Sequence, residues 1–94
     1  MNKLSSISDN VRAIKKAMKT RRVALNMTQD EAAKKAGIAP GTLKRFERTG
    51  EISLERLLCL MKLYDMDDTI VPRFSDMSWW TLEQIERAES RKKA

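Results

Sequence analysis

The stretch from Thr28 to Gly50 constrains the fold more than any other part of the chain, because it combines two helix signals with a tight break between them. The hydroxyl of Thr28 and the carboxylate of Glu31 have the spacing of a capping box, which predicts that a helix starts after Thr28. Gly37 tolerates the left-handed backbone conformation in which many helices end. Pro40 is favoured in a first helical turn, where its missing N–H costs nothing. The sequence therefore predicts two helices joined by a short turn.

These two predicted helices have different inner faces. The inner face of the first consists of small residues, Ala32, Ala33 and Ala36. Small residues allow the second helix, whose buried stripe is Leu43 and Phe46, to cross close by at a steep angle. The outward positions of the second helix are small or basic: Ala39, Pro40, Gly41, Thr42, Lys44, Arg45 and Arg48. This layout is typical of a helix-turn-helix whose second helix enters the major groove of DNA.

The same stretch, TQDEAAKKAGIAPGTLKRFERTG, resembles the helix-turn-helix of the Cro and phage-repressor family, often called the Xre family. The positions in register with the family pattern are Thr28, Gln29, Glu31, Ala33, Gly37, Ile38, Leu43, Phe46 and Glu47. Gly50 follows one residue later than in the commonest form of the pattern. The similarity extends over residues 10–75. Within it, LKRFERTGEISLERLL is also similar to the HipB-like antitoxins, which are encoded beside HipA-type kinase toxins.

The resemblance implies roles for three charged or polar residues, Gln29, Arg22 and Glu47. It assigns Gln29, at the N-terminus of the first of these two helices, to a DNA phosphate, and Arg48 is expected to make a second phosphate contact. It also implies that Arg22 forms an ion pair with Glu47. Arg22 lies on the apolar stripe of a preceding helix, where a charge needs a partner. Such a buried pair fixes geometry more than it adds stability.

Base recognition must differ from that of the phage repressors that read bases with glutamines. The corresponding positions here are Pro40 and Gly41, which offer close backbone approach but no side-chain donor. Direct readout then falls on Arg45 and Lys44, which favour the O6 and N7 atoms of guanine, and on Thr42. The predicted base-contacting set is Pro40, Gly41, Thr42, Lys44 and Arg45. The sequence thus predicts one or two guanine-reading contacts per half-site.

The expected fold is all-α, a five-helix repressor-like helix-turn-helix domain with an extra C-terminal helix. Residues 1–8 are expected to be a flexible N-terminus, 9–75 the DNA-binding domain and 76–94 a C-terminal extension. A first helix should start at Ser8 or Asp9, and its expected inner stripe is Val11, Ile14, Met18 and Leu25. Ser53 should cap a fourth helix, whose expected core residues are Leu54, Leu57, Leu58, Met61 and Tyr64. A fifth helix should follow at 69–74, and the last is expected to start at a capping box of Thr81 and Gln84.

Several apolar residues remain after this core is assigned. Leu60 and Leu63 widen the stripe of the fourth helix, and both tryptophans lie in the C-terminal extension. We expect a dimer or partner interface formed by Leu60, Leu63, Met77, Trp79, Trp80 and Leu82. The alternative for the tryptophans is packing onto the fourth and fifth helices of their own subunit.

Composition narrows the function classes. The chain has 94 residues, enough for one domain, and a net charge of +6. Residues 1–50 contain twelve lysines and arginines against four acidic residues, so the basic charge coincides with the helix-turn-helix. The start of the chain lacks the apolar core of a signal peptide, and no apolar run is long enough to span a membrane. The single cysteine cannot form an internal disulfide, which favours a reducing cytoplasm.

The sequence favours one of three classes of function: an enzyme, a DNA-binding repressor or a protein-interaction module. An enzyme is the least favoured, because the chain contains no histidine, no glycine-rich phosphate loop and no clustered ligands for a catalytic metal, so neither a cofactor nor a metal is expected. The favoured function is a repressor that binds an inverted-repeat operator as a homodimer, and the narrower resemblance implies an autoregulating antitoxin with a HipA-type kinase toxin as partner. The alternative is a helical protein-interaction module without specific DNA binding.

Overall fold

The computed structural model describes residues 6–76, 78 and 80–92. Six helices follow one another along the chain: α1 (Ile7–Ala24), α2 (Gln29–Ala36), α3 (Pro40–Thr49), α4 (Leu54–Leu63), α5 (Asp67–Ser75) and α6 (Leu82–Lys92). The described residues contain no strand. The expected all-α fold with an extra C-terminal helix is therefore confirmed. None of the described helices is both long and apolar enough to cross a bilayer.

Helix α1 begins earlier than the sequence analysis predicted. Ser6 is its N-cap: the Ser6 hydroxyl accepts a hydrogen bond from the Asp9 backbone N–H at 3.0 Å, and the Asp9 carboxylate accepts one from the Ser6 N–H at 3.3 Å. Asp9 thus closes a capping box from inside the helix instead of preceding it. Ile7 and Ser8, which were expected in a flexible N-terminus, belong to this helix, and residues 1–5 lie outside the described part of the chain.

The break between α2 and α3 follows the predicted chemistry. The Thr28 hydroxyl accepts a hydrogen bond from the Glu31 N–H at 3.1 Å, and the Glu31 carboxylate accepts one from the Thr28 N–H at 3.2 Å. The hydrogen bond from the Thr28 N–H to the carboxylate is the largest cause of a lowered pKa of Glu31, because it favours the charged form. Gly37 ends α2 with φ of 75°, in the left-handed region, and α3 restarts at Pro40. The turn is short because Gly37 ends α2 and because Pro40, at the start of α3, has no backbone N–H that would need a cap.

The core is formed by buried residues of α1 to α4 and of the turns beside them. Its members are Met18, Met27, Ala32, Ala33, Leu43, Phe46, Leu60, Met61 and Tyr64. The small alanines of α2 let α3 pack against it, as expected, and α4 packs against α2 as well. This packing aligns α3 across the core with Leu43 and Phe46 inward, which leaves its opposite side facing solvent.

Several predicted core positions are exposed. Leu54 and Leu58 of α4 are exposed, as are Ile14 and Leu25, which were expected on the inner stripe of α1. In α4 a residue is rotated by about 100° from the one before it, so Leu58 turns away from the core when Leu57 faces it. The inward positions are Leu57, Leu60 and Met61 of α4, together with Tyr64 directly after the helix. Leu60 is fully buried within its own subunit, so its assignment to a dimer or partner interface is wrong.

Tyr64, immediately after α4, closes the base of the core. Its side chain is 0% exposed, and its hydroxyl has no hydrogen-bond partner among the described residues. Burial raises the pKa of Tyr64 to about 12, because the phenolate would lose its hydration. A buried hydroxyl without a partner loses its bonds to water and gains none in exchange.

Tyr64→Phe is therefore expected to increase the free energy of unfolding by about 1 kcal/mol at neutral pH. The variant should also lose less stability in alkali. The pKa of the folded wild type lies above the ordinary value of 10.0, so the contribution of the neutral phenol is complete below that pH and is lost as the pH rises to about 12. Urea unfolding of both proteins at neutral pH and across this alkaline range measures the difference. A less stable Tyr64→Phe protein at neutral pH would contradict the prediction.

Candidate nucleic-acid interface

A buried ion pair joins α1 to α3. Arg22 Nε lies 2.8 Å from Glu47 Oε2, Arg22 Nη2 donates to Glu47 Oε1 at 2.9 Å, and Arg22 Nη1 donates to the Met27 carbonyl at 2.8 Å. The two side chains are only 9% and 5% exposed. The hydrogen bonds to Glu47 raise the pKa of Arg22 above its ordinary value, against the opposing effect of burial. This is the pair that the sequence analysis expected, and it fixes how α3 lies across α1.

Gln29 of α2 also forms a hydrogen bond with the Glu47 carboxylate. Its amide nitrogen Nε2 donates to Glu47 Oε1 at 3.0 Å, so α1, α2 and α3 all reach one side chain. The sequence analysis missed this contact and assigned Gln29 to a phosphate alone. An amide nitrogen carries two hydrogens, so one of them still remains for a phosphate oxygen. The phosphate contact of Gln29 stays a prediction.

The C-terminal end of α3 is held against α1. Lys15 Nζ donates to the Arg48 carbonyl at 3.0 Å, at a helix end where backbone carbonyls lack intrahelical partners. Gly50 follows with φ of 83°, and a Cβ added to it would lie 2.3 Å from Val11 Cγ1. Glycine is thus required at this position both by the backbone and by the closeness of α1. The C-terminal end of α3 is thus fixed against α1, which gives its outer surface a defined orientation.

The residues predicted to contact bases lie on the outer surface of α3. Pro40, Gly41, Lys44 and Arg45 are exposed and Thr42 is half-buried, while Leu43 and Phe46 are buried beneath them. A Cβ added to Gly41 would meet no heavy atom within 4 Å. The packing of the fold therefore does not require glycine at this position.

Two of these basic side chains have acidic neighbours that sequence analysis did not identify. Lys44 Nζ lies 3.3 Å from Asp30 Oδ1, and both Nε and Nη2 of Arg45 donate to Glu51 Oε2, the former at 3.0 Å. All four side chains remain largely exposed. The guanidinium of Arg48, predicted to contact a phosphate, makes no hydrogen bond or ion pair with any residue that the structure describes. The only sign of these pairs in the sequence is that acidic and basic residues both occur near the ends of α2 and α3.

The residues predicted for an interface are distributed unevenly. Leu63 is half-buried against the core, whereas Trp80 and Leu82 are 46% and 71% exposed. Met77 and Trp79 lie outside the described residues. Further large apolar side chains are exposed on α4 and α5: Leu54, Leu58, Val71 and Phe74. Carboxylates of Asp65, Asp67 and Asp68 approach one another within 4.8 Å, but at a helix start exposed acidic side chains are expected without a metal.

Comparison with known proteins agrees with this geometry. The family model HTH_3, described as helix-turn-helix, matches residues 18–69, from the middle of α1 into α5. No curated protein and no solved structure matches the chain. The matched segment covers more than half of the chain and includes the Arg22–Glu47 pair, the glycine turn and all of α3. The chain therefore belongs to the HTH_3 family of Xre/Cro/C1-type helix-turn-helix proteins and is a DNA-binding transcription regulator.

Proposed function

We propose that the protein is a sequence-specific repressor that binds an inverted-repeat operator as a homodimer and acts in the cytoplasm without a cofactor or an enzymatic activity. The observation that carries this proposal is the division of α3 into two sides. Leu43 and Phe46 are buried, and the predicted base-contacting residues lie on the solvent side. A helix anchored along one side and polar along the other is the form in which recognition helices enter the major groove.

Charge supports a nucleic-acid partner. The half of the chain that contains α3 also contains most of the lysines and arginines. Basic side chains displace the counterions condensed on DNA, so affinity for a duplex should fall steeply as salt increases. Arg48, whose guanidinium is exposed and unpaired among the described residues, and the second amide hydrogen of Gln29 are the proposed phosphate contacts.

A two-fold dimer supplies the rest of the specificity. Two recognition helices about 34 Å apart read half-sites one helical turn apart, so the operator is an inverted repeat. The proposed dimer surface includes Leu63, Trp80 and Leu82, together with Met77 and Trp79 outside the described residues. Exposed apolar side chains on α4 and α5 lie in the same half of the chain and favour an additional protein contact.

The direct test is selection of binding sites from a random-sequence duplex library by the full chain, together with gel shifts on the DNA upstream of its own gene. An enriched inverted repeat, bound with two protomers per duplex, is the expected result. A chain that enriches no sequence, or that binds every duplex equally at low salt, would overturn the repressor proposal. Multi-angle light scattering on the free protein and on the complex gives the stoichiometry.

Gly41→Ala is expected to change the free energy of unfolding and the affinity for the operator in opposite directions. Alanine should raise the free energy of unfolding by up to about 1 kcal/mol, since it is a better helix former, and its Cβ would project into open space. We expect weaker operator binding by the same variant, because the methyl group separates the helix from the bases. Thermal unfolding and gel shifts measure the two effects. Unchanged or tighter operator binding would contradict close approach at Gly41.

The narrower proposal is that the repressor is the antitoxin of a HipA-type kinase toxin encoded beside it and represses its own operon. It rests on the similarity of LKRFERTGEISLERLL to HipB-like antitoxins. Co-expression with the product of the adjacent gene should yield a stable complex. Recovery of the protein as a free dimer in that experiment would count against the antitoxin role.

The second candidate function is a helical interaction module without specific DNA binding. The exposure of Leu54 and Phe74 favours it, because large apolar side chains at a surface mark protein contacts. It does not explain a basic outer side on α3. The site-selection experiment distinguishes the two functions directly.

A further inference from the structure

We infer that Glu51 is a positioning residue for base recognition: it holds the guanidinium of Arg45 so that its outer edge is presented to one guanine. The inference rests on the proposed function and names the residue that makes the Arg45 contact selective. Glu51 follows the C-cap residue of α3, Gly50, and lies outside the helix whose side chain it holds.

The hydrogen bonds of Arg45 leave the required edge free. A guanidinium has five N–H donors, and Glu51 Oε2 accepts from Nε and from Nη2 of Arg45. These two donors share one edge of the guanidinium. The adjacent edge, formed by Nη1 and the second hydrogen of Nη2, remains available. That edge has the fork geometry that binds guanine O6 and N7 together.

Glu51 is itself held in place by a second set of contacts. The Thr49 hydroxyl donates to the Arg45 carbonyl at 2.8 Å and accepts from the Glu51 N–H at 3.0 Å. Gly50, with φ of 83°, turns the chain so that Glu51 returns alongside α3. Arg45 and Glu51 are therefore joined both through their side chains and through Thr49. A carboxylate on a flexible loop could not orient its partner in this way.

The Arg45–Glu51 pair should affect discrimination between DNA sequences more than it affects folding stability. Arg45 and Glu51 side chains are 62% and 64% exposed, so their pairing adds little to folding stability. An arginine that is already ordered loses less conformational freedom when it meets a base, which favours the one guanine in line with its edge. A carboxylate beside the guanidinium also opposes its collapse onto any nearby phosphate. Both effects separate cognate from non-cognate duplexes.

The test compares wild type with Glu51→Gln, Glu55→Gln and Arg45→Ala. Glu55 lies in the first turn of α4 and is exposed, so its variant removes the same charge at another place. The probes are the duplex selected by the wild type, its single base-pair substitutions and a scrambled duplex. The position read by Arg45 is the one at which Arg45→Ala loses discrimination.

We expect Glu51→Gln to reduce discrimination at that position by about three- to tenfold, the scale of ordering one long side chain, while other positions and the thermal midpoint stay unchanged. Glu55→Gln should retain full discrimination. In the Arg45→Ala background, Glu51→Gln should have no further effect at that position, because coupled residues are not additive.

Two kinds of failure are distinguishable. A wild type that selects no sequence overturns the proposed function and, with it, this inference. A wild type that selects an operator overturns the inference alone if Glu51→Gln keeps full discrimination, sharpens it, or loses it to the same extent as Glu55→Gln. The last result would assign the effect to net charge.

Discussion

Glu47→Ala is expected to lower the free energy of unfolding by about 3–5 kcal/mol, because it leaves the buried guanidinium of Arg22 without its counter-ion. The substitution removes two hydrogen bonds from Arg22 and the acceptor of Gln29 at the same time. Water cannot readily replace them, since both charged side chains are nearly inaccessible. Urea unfolding followed by circular dichroism measures the loss.

Two further variants test the cause. Glu55→Ala removes a carboxylate from an exposed position and should change stability by less than about 0.5 kcal/mol. The double variant Arg22→Met with Glu47→Leu should recover a large part of the stability, because it leaves no uncompensated charge in the core. A Glu47→Ala protein as stable as Glu55→Ala would show that the pair is not buried in solution.

Arg45→Ala is expected to reduce the preference for one base pair in each half-site by about 1–3 kcal/mol, the range for loss of a bidentate guanine contact. The loss acts twice in a dimer bound to an inverted repeat. Folding should be almost unaffected, because Arg45 is exposed and its carboxylate partner is equally so. Binding constants for the selected operator and its single base-pair substitutions measure the effect.

Arg48→Ala is the matched comparison, since it removes the same side chain from the next exposed turn of α3. A phosphate contact carries no sequence information, so affinity should fall for all duplexes alike, and the salt slope should decrease by about one ion per protomer. The opposite pattern, with Arg48→Ala relaxing sequence preference and Arg45→Ala weakening all duplexes equally, would reverse the two assignments.

Local chemistry made much of the fold predictable. Thr28 with Glu31, Gly37 and Pro40 each act within one helical turn, so their spacing in the sequence is enough to locate the ends of α2 and the start of α3. The pairing of Arg22 was also predictable, because a charge on an apolar stripe must find a partner. The family resemblance supplied that partner.

Contacts that depend on how helices are arranged were not predictable in the same way. Leu54 and Leu58 continue an apolar pattern, yet the extent of the neighbouring helices decides which of them is covered. The pairings of Asp30 with Lys44 and of Glu51 with Arg45 depend on loop geometry. Several exposed acidic and basic residues lie in this region, so more than one pairing is compatible with the sequence. A charge pattern shows that such pairs form but not which ones.

The convergence of three helices on the Glu47 carboxylate has a consequence for how this regulator can diverge. Arg22 of α1 and Gln29 of α2 both donate to Glu47 of α3, so a tilt of α3 would break its bonds to both of the other helices. On the proposed function, new base preferences would arise by exchanging side chains on the solvent side of α3, at positions such as Thr42 and Lys44, while the Glu47 contacts stay unchanged. Base preference can thus change while the arrangement of α1, α2 and α3 stays the same.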